Sequence, residues 1–239
     1  MNILGITLAR GGSKKIKNKN IIKINKYPLI YYTIKESLKS IYLTRYIVST
    51  DSKKIAKISK QYKAEVPFLR PKNISKDKSS SAAALKHALL FLEKKYNMKF
   101  DYVVEIMNTN PLKNYKDIDN VIKIITKNNL DSVIAVNQVF DYHPARIKKI
   151  EQNRLVDFAV KEKLESRRQD LKPYAYVRSG SIYAMSRKFV MRGLRYKSKV
   201  SVPYILPQSR VINIDEKNDL ELARVLIKKS NLKWKKKIY

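Results

Sequence analysis

ILGITLARGGSKKIKNKN, residues 3–20, decides the fold. Its first six residues are a short, nearly unbroken apolar run, the pattern of a strand buried on both faces of a parallel sheet. A Gly11-Gly12 pair and Ser13 follow at once, with Arg10, Lys14, Lys15, Lys17 and Lys19 crowded around them. A buried strand, a tight glycine turn and then cations is the layout of an anion cradle at the carboxyl edge of a sheet. Glycines let backbone N–H groups approach an anion, Arg10 offers a bidentate fork and Lys19 a point charge. The turn is neither of two familiar phosphate loops. GxxxxGK[ST] does not occur, and with five glycines, none between Gly12 and Gly180, GxGxxG is excluded too. A solvated surface turn would carry the same residues; the place behind strand one and the number of cations favour the anion.

Outward from this stretch, strand and helix patterns alternate. Ile30, Ile34, Leu38 and Ile41 sit at helical spacing, RYIVST (45–50) is β-rich, and Ile55, Ile58 and Tyr62 return to helical spacing. VPFL (66–69), between prolines, reads as a short strand, and Ala84, Ala88, Phe91 and Leu92 predict a helix over 80–96. DYVVEIM (101–107), a helix around Ile118, Val121, Ile122 and Ile125, and DSVIAVN (131–137) continue the order. Such alternation implies βαβ units and a mostly parallel sheet covered on both faces. From about 138 to 178 the pattern becomes charged, tyrosine-bearing and weakly periodic, as expected of an inserted arm. SGSIYAM (179–185) and VINI (211–214) restore strand character, and a last helix starts near Lys217, with Leu220, Ala223 and Ile227 on one face. The basic tail, about 231–239, is given no role.

The 239 residues suit one domain with a sizeable core. No apolar run is long enough to cross a bilayer, and MNILGITLAR is too short in its apolar part for a secretory leader. Cysteine is absent, which excludes thiol chemistry, and two distant histidines, His87 and His143, make a poor zinc site. A cytoplasmic enzyme or binding protein, with no membrane partner, is the expectation. The formal charge of +32 invites a nucleic-acid reading. Against it, lysines fall in nearly every segment, including helix faces such as SKKIAKISKQYK (52–63), and no aromatic-interleaved stripe or nucleic-acid motif occurs. Lys, Ile and Asn are favoured together by AT-rich codons, so the charge reads as background with weak polyanion binding.

The opening loop resembles the nucleotide-binding loop of the acylneuraminate cytidylyltransferases (CMP-sialic acid synthetases) and their KDO-activating cousins. The family's Ala-Arg-x-x-Ser-Lys and following Lys-Asn are matched by Ala9, Arg10, Ser13, Lys14, Lys19 and Asn20; its usual leading Pro is Leu8. STDSKKIAKISKQYKAEVPFLRP (49–71), SKDKSSSAAALKHAL (75–89) and NTNPLKNYKDID (108–119) are similar to further family segments. So are His143-Pro144, RRQDL (167–171), SGSIYAM and INIDEKNDLELA (212–223). Each match is modest, and their joint order spans nearly the whole chain. The resemblance implies a three-layer αβα nucleotidyltransferase fold with an inserted dimerisation arm, and a homodimer with shared active sites.

It also implies a reaction: CMP passes from CTP to the anomeric hydroxyl of an acidic nine-carbon sugar, and pyrophosphate leaves. Arg10, Ser13, Lys14, Lys19 and Asn20 would hold the triphosphate, with Arg10, Lys19 and Asp215 acting in catalysis. Arg70, Asp77 and Ser80 would read cytosine and ribose, although a surface arginine and a plain helix cap are the simpler readings of Arg70 and Ser80. Met107, Asn108, Thr109, Asn110, His143, Arg167, Arg168 and Gln169 would meet the sugar, His143 equally in a structural role. Two departures stand out. Mg2+ is the implied cofactor, but the family's Asp-x-Asp ligand pair reads Asn213-Ile214-Asp215, one charge short. The Gln-Pro that precedes Thr-Ser-Pro-Leu in sialate-activating members reads Met107-Asn108, which makes legionaminate, pseudaminate or another ulosonic acid at least as good a candidate as sialic acid. A nucleotidyltransferase for another sugar or nucleotide, and a degenerate nucleotide binder, are the alternatives; a nucleic-acid-binding protein ranks below them.

Overall fold

The computed structural model describes residues 1–13, 15–77, 79–162 and 167–235; Lys14 of the opening loop and residues 236–239 of the tail lie outside them. The apolar run becomes β1 (Ile3–Leu8), pleated so that Ile3 faces one side of the sheet and Leu4 and Ile6 the other. Two two-residue strands, β2 (Lys23–Ile24) and β3 (Tyr27–Pro28), lead into α1 (Leu29–Ser37). The order continues with β4 (Arg45–Ser49), α2 (Lys53–Gln61), α3 (Ser81–Tyr96), β5 (Tyr102–Ile106), α4 (Tyr115–Lys127) and β6 (Ser132–Val139). A hairpin of β7 (Lys148–Glu151) and β8 (Arg154–Asp157) precedes the long β9 (Ala175–Ser186), then come α5 (Arg187–Met191), β10 (Val202–Ile205) and α6 (Lys217–Lys235).

Six strands form one sheet in the order β10-β6-β9-β5-β1-β4. Among the described strands of this sheet β9 alone runs against the rest, paired antiparallel with β5 and β6. Ile30, Ile34, Ile55, Ile118, Ile122 and Ile125 seal α1, α2 and α4 onto one face. Leu85, Leu89, Leu92 and Phe189 seal α3 and α5 onto the other. This is the three-layer α/β arrangement that the alternating pattern predicts. A third cluster, Ile24, Leu29, Ile212, Ile214, Leu220, Ala223 and Ile227, fixes α6 beside the β2–β3 hairpin.

Three expectations need correction. VPFL is not a strand but a run of chain touching the sheet edge at two isolated bridges, Ile47 with Glu65 and Thr50 with Leu69; Pro67 within it withholds a ladder donor. VINI is likewise irregular, held by its side chains and by the Ile214 N–H on the Thr109 carbonyl at 2.9 Å. Within 138–178 lies ordered structure at both ends, since β6 reaches Val139 and β9 begins at Ala175. The hairpin between them presents Ile150 and Leu155, directly paired and each 75% exposed.

The turn after β5 is organised by buried Lys113. Its Nζ donates to Thr33 Oγ1 (2.8 Å), Met107 O (2.6 Å) and Asn110 O (2.7 Å), tying α1 to the end of β5. Asn114 and Asp117 form a capping box at the head of α4. The same buried Asp117 accepts from Tyr204 Oη at 2.9 Å and Arg210 Nε at 3.0 Å, which docks β10 and the chain beyond it. Lys113→Met orphans three acceptors and is expected to cost ~3 kcal/mol in urea unfolding at pH 7. Burial, opposed by Asp117 and Glu36, brings Lys113 down from 10.5 to about 7. Between those two values the unfolded chain holds more protons than the folded one, so stability rises with pH through this window. The stability difference between wild type and Lys113→Met should therefore move in wild type's favour from pH 7 towards 10.

Candidate active site

The ends of β1 and β5, the N-terminus of α3 and Asp215 enclose a cleft of about 460 Å3. Arg10, Ser13, Lys19, Asn20, Arg70, Asp77, Ser80, Met107, Asn108, Thr109 and Asp215 all border it, so the structure gathers residues that lie far apart in sequence. Gly11 passes so close to the start of α2 that a Cβ there would come 3.1 Å from Ser52 Cβ. Its N–H is held by Asp51 Oδ1 at 2.9 Å. Arg10 Nη1 donates to Asp77 Oδ1 (2.7 Å), Lys15 Nζ to Glu216 Oε1 (2.7 Å) and Lys19 Nζ to Asp215 Oδ1 (3.0 Å). Lys19 also reaches the Ile214 carbonyl at 3.0 Å.

Beneath this charged rim runs a chain of amides. Asn20 Nδ2 donates to the Arg10 carbonyl (2.8 Å), and Asn108 Nδ2 donates to Asn20 Oδ1 (3.0 Å). The chain fixes both amide orientations and leaves Asn108 Oδ1 buried with no partner among the described residues. A buried acceptor beside a polar cleft is satisfied at low cost by a hydroxyl or N–H of a ligand.

Arg70 is 6% exposed yet borders the cleft. Burial, with Arg10 adding to it and Asp51 opposing, draws its pKa below the usual arginine value. Its Nε donates to Ser75 Oγ at 3.1 Å, and its backbone N–H to Thr50 O at 2.7 Å. Ser80 is the N-cap of α3, accepting from the Ala83 N–H at 3.2 Å, so the cap geometry holds at a residue that also borders the cleft. The partial positive end of this sixteen-residue helix faces the same space as Arg10 and Lys19.

Asn213 and Asp215 lie side by side, with the Asn213 amide nitrogen donating to Asp215 Oδ2. Asn213 Oδ1 rests over Gly180, where φ is +61° and a Cβ would come within 3.3 Å. Asp219 is occupied otherwise: its Oδ2 accepts the Asp215 and Glu216 N–H groups and caps α6. Among the described residues no three His, Asp or Glu side chains cluster as metal ligands. One carboxylate plus one amide oxygen fits a magnesium ion that keeps waters and brings phosphate ligands with it, not an all-protein cage.

The remaining expected sugar contacts lie elsewhere in this chain. Asn110 is fully buried, its Oδ1 accepting the Leu112 and Lys113 N–H groups. His143 is buried in the arm, with Nε2 2.9 Å from Pro173 O and Nδ1 accepting the Ala145 N–H. Arg167 is taken up by Asp170 at 2.7 Å, Arg168 stacks on Phe140 at 3.9 Å, and Gln169 is exposed beside them. None of these five borders the cleft.

Residues outside the sequence expectation do border it or support it. Glu105, a charge inside the apolar run of β5, forms part of the cleft wall, and Arg195 Nε donates to its Oε2 at 2.7 Å. Burial raises the Glu105 pKa, and Arg195 opposes the rise. A carboxylate at an inward position of a strand is the sequence signal that could have found it. Asp51 and Ser75 act one shell back, on Gly11 and Arg70, and nothing local in the sequence distinguishes them from loop residues.

A cytidylyltransferase family model matches residues 4–237. The chain is 34% identical over 229 residues to the pseudaminic acid cytidylyltransferase of Campylobacter jejuni strain 81-176, covering 95% of this chain and 97% of that one. It is 32% identical over 234 residues to the CMP-N,N'-diacetyllegionaminic acid synthase of Legionella pneumophila, covering 95% and 97%. Among solved structures, a CMP:2-keto-3-deoxy-manno-octonic acid synthetase complexed with CTP superposes with a TM-score of 0.70 at 13% identity, over 96% of this chain and all of that one, a likeness of fold. Sequence and architecture agree, and the chain belongs to the cytidylyltransferase family.

Proposed function

We propose that the chain transfers CMP from CTP to the anomeric hydroxyl of a nonulosonic acid, with pseudaminic acid the first candidate. The observation that carries this reading is the convergence of Arg10, Lys15, Lys19, Arg70 and the head of α3 on one cleft of nucleotide size. The names of the relatives, for pseudaminic and legionaminic acids, supply the sugar class.

The sugar oxygen forms a bond to the α-phosphorus as the bond to the β-phosphate oxygen breaks; pyrophosphate departs and the hydroxyl proton passes to solvent. Such a displacement asks for charge neutralisation and in-line placement rather than covalent help. Arg10, Ser13, Lys19 and the Gly11-Gly12 backbone lie against the triphosphate, Lys14 belonging to the same loop. Lys19 neutralises charge that builds on the leaving pyrophosphate. Arg70, Asp77 and Ser80 face base and ribose, and Asn108 Oδ1 accepts a ligand hydroxyl or N–H. Met107 and Thr109 border the acceptor. Asp215, with the Asn213 amide oxygen, would hold Mg2+ delivered on the nucleotide. When bound, the ion neutralises phosphate charge and lowers the pKa of a coordinated hydroxyl.

The exposed hairpin face of Ile150 and Leu155 supports a homodimer in which the arm of one subunit reaches the other. In that assembly Arg167, Arg168 and Gln169 serve the partner's cleft.

Pyrophosphate release from CTP and Mg2+, measured over pseudaminic, legionaminic, sialic and KDO acids, should show turnover with a nonulosonic acid and least with KDO. Release with UTP or ATP in place of CTP would replace the nucleotide assignment, and CTP binding without turnover on any acid would make the chain a nucleotide binder. Asp215→Asn should cut kcat by ~100-fold or more while CTP still binds, as expected when a group that acts on charge developing in the transition state is removed. Ile150→Asp with Leu155→Asp should convert a dimer to a monomer in sedimentation equilibrium, without lowering the melting temperature of the subunit.

A further inference from the structure

Lys113, whose Nζ holds the turn after β5, also borders a second cavity, of about 1070 Å3, formed by the β2–β3 hairpin, α1, the head of α4 and α6. Among the described residues it shares none of its lining with the cleft. Four tyrosines border it. Tyr27 and Tyr31 stack at 4.0 Å with 20° between their planes, and Tyr32 meets Tyr31 edge-on at 5.5 Å. Tyr32 Oη is spent on the Ile24 carbonyl at 2.6 Å, which fixes that ring. Tyr115, at the head of α4, has Lys39 Nζ over it at 5.8 Å.

The same space carries charge that the chain leaves without acids. Lys26, Lys35, Lys116 and Lys228 border it, are exposed and make no ion pair among the described residues. Glu36, the acid among the described residues of the lining, is taken by Lys39 Nζ at 2.6 Å and the Tyr115 N–H at 3.1 Å. Arg210 adds a guanidinium that buried Asp117 holds by Nε at 3.0 Å, with 30% of the side chain still exposed. At the cleft, by contrast, Arg10, Lys15 and Lys19 each sit on a carboxylate. Lysines are spread over the whole chain, so charge alone marks nothing. What sets this place apart is that the lysines share one concavity with four rings.

We propose that this cavity is a second ligand site, taking a nucleoside phosphate whose base stacks on the tyrosines and whose phosphates lie among the lysines and Arg210. Aromatic rings favour a flat π-face, and cations without acids favour phosphate. Inorganic phosphate leaves the rings unused and an apolar molecule leaves the lysines unused; a nucleoside phosphate uses both. Stacking accepts any base, so purine and pyrimidine nucleotides both fit. Lys113 is the wall towards the cleft: its Nζ holds the Met107 and Asn110 carbonyls, so one side chain separates the second ligand from the turn beside the first site.

The test is equilibrium dialysis of labelled ADP against the full chain, at low and at physiological salt, which reads the cavity whether or not the chain turns over CTP. ADP should bind, more tightly than inorganic pyrophosphate and more weakly as salt rises. Tyr31→Leu should weaken it by about tenfold, as removal of a stacking ring does. Lys35→Glu with Lys116→Glu should weaken it by about tenfold or more and flatten its salt dependence. Lys19→Gln, in the cleft, should leave ADP affinity within about twofold, because the two sites share no described lining residue. The charge-reversed pair changes exposed residues only, so it decides the matter if Tyr31→Leu lowers the melting temperature. No ADP binding to wild type, or loss with Lys19→Gln and not with the cavity variants, overturns the site. Pyrophosphate binding as tightly as ADP overturns the nucleoside. An oligonucleotide that binds a thousandfold or so more tightly than ADP and loses that affinity in the same variants replaces the nucleotide with a single strand.

Discussion

The site depends on one buried nitrogen. Lys113 Nζ holds the turn after β5 from beneath, through the carbonyls of Met107 and Asn110, and reaches across to α1 through Thr33. Met107, Asn108 and Thr109, in the turn held from beneath by Lys113, border the cleft. Asp117, one helical turn on, fastens the same corner to Tyr204 and Arg210. The segment 107–110 beside the cleft is therefore set by hydrogen bonds made beneath it. A buried network of this kind is either fully satisfied or costly, which makes the turn stiff.

The layout of the sheet explains why the rest of the site is on one edge. Parallel β1, β4 and β5 deliver their carboxyl ends to the same side, and the loops that follow bring Arg10, Asp51 and Asn108 together. α3 starts at that edge and points its head into the cleft. β9 enters from the opposite direction, which places Gly180 under Asn213 and Tyr183 opposite Glu105. The reversed strand thus joins Asn213 to the Glu105–Arg195 pair.

Much of this was legible in the sequence. The apolar run ahead of the glycine pair marked β1 and its loop, and helical spacing marked α2, α3, α4 and α6, because burial on one face leaves a period that a reader can count. The cleft residues of 10–20 and 107–109 were legible as well, since both segments follow strands. VPFL and VINI misled: β-rich composition says that residues suit a pleated surface, not that a partner strand is present. The hairpin in the arm was hidden by exposure, which removes the alternation that burial imposes. Glu105, Asp51 and Arg195 were missed for a related reason, as their meaning lies in contacts between distant segments. Asn110 was read as facing a sugar and His143 as structural or sugar-facing; in this chain their polar atoms meet backbone groups, Asn110 at Leu112, Lys113 and Arg210 and His143 at Ala145 and Pro173.

Three cations of the opening loop, Arg10, Lys15 and Lys19, are not bare. Arg10 sits on Asp77, Lys15 on Glu216, Lys19 on Asp215, and the Gly11 amide on Asp51. On the proposed reading, the cleft is like an ion-exchange resin already loaded with its own carboxylates, and an arriving anion must displace them to bind. A singly charged ion cannot displace several carboxylates together, while a polyphosphate exchanges them in a single step. On that reading, selectivity for high valence would be written into contacts that exist before any ligand arrives. The carboxylates that are released stay close by, and they compete for the same cations when the polyphosphate has to leave.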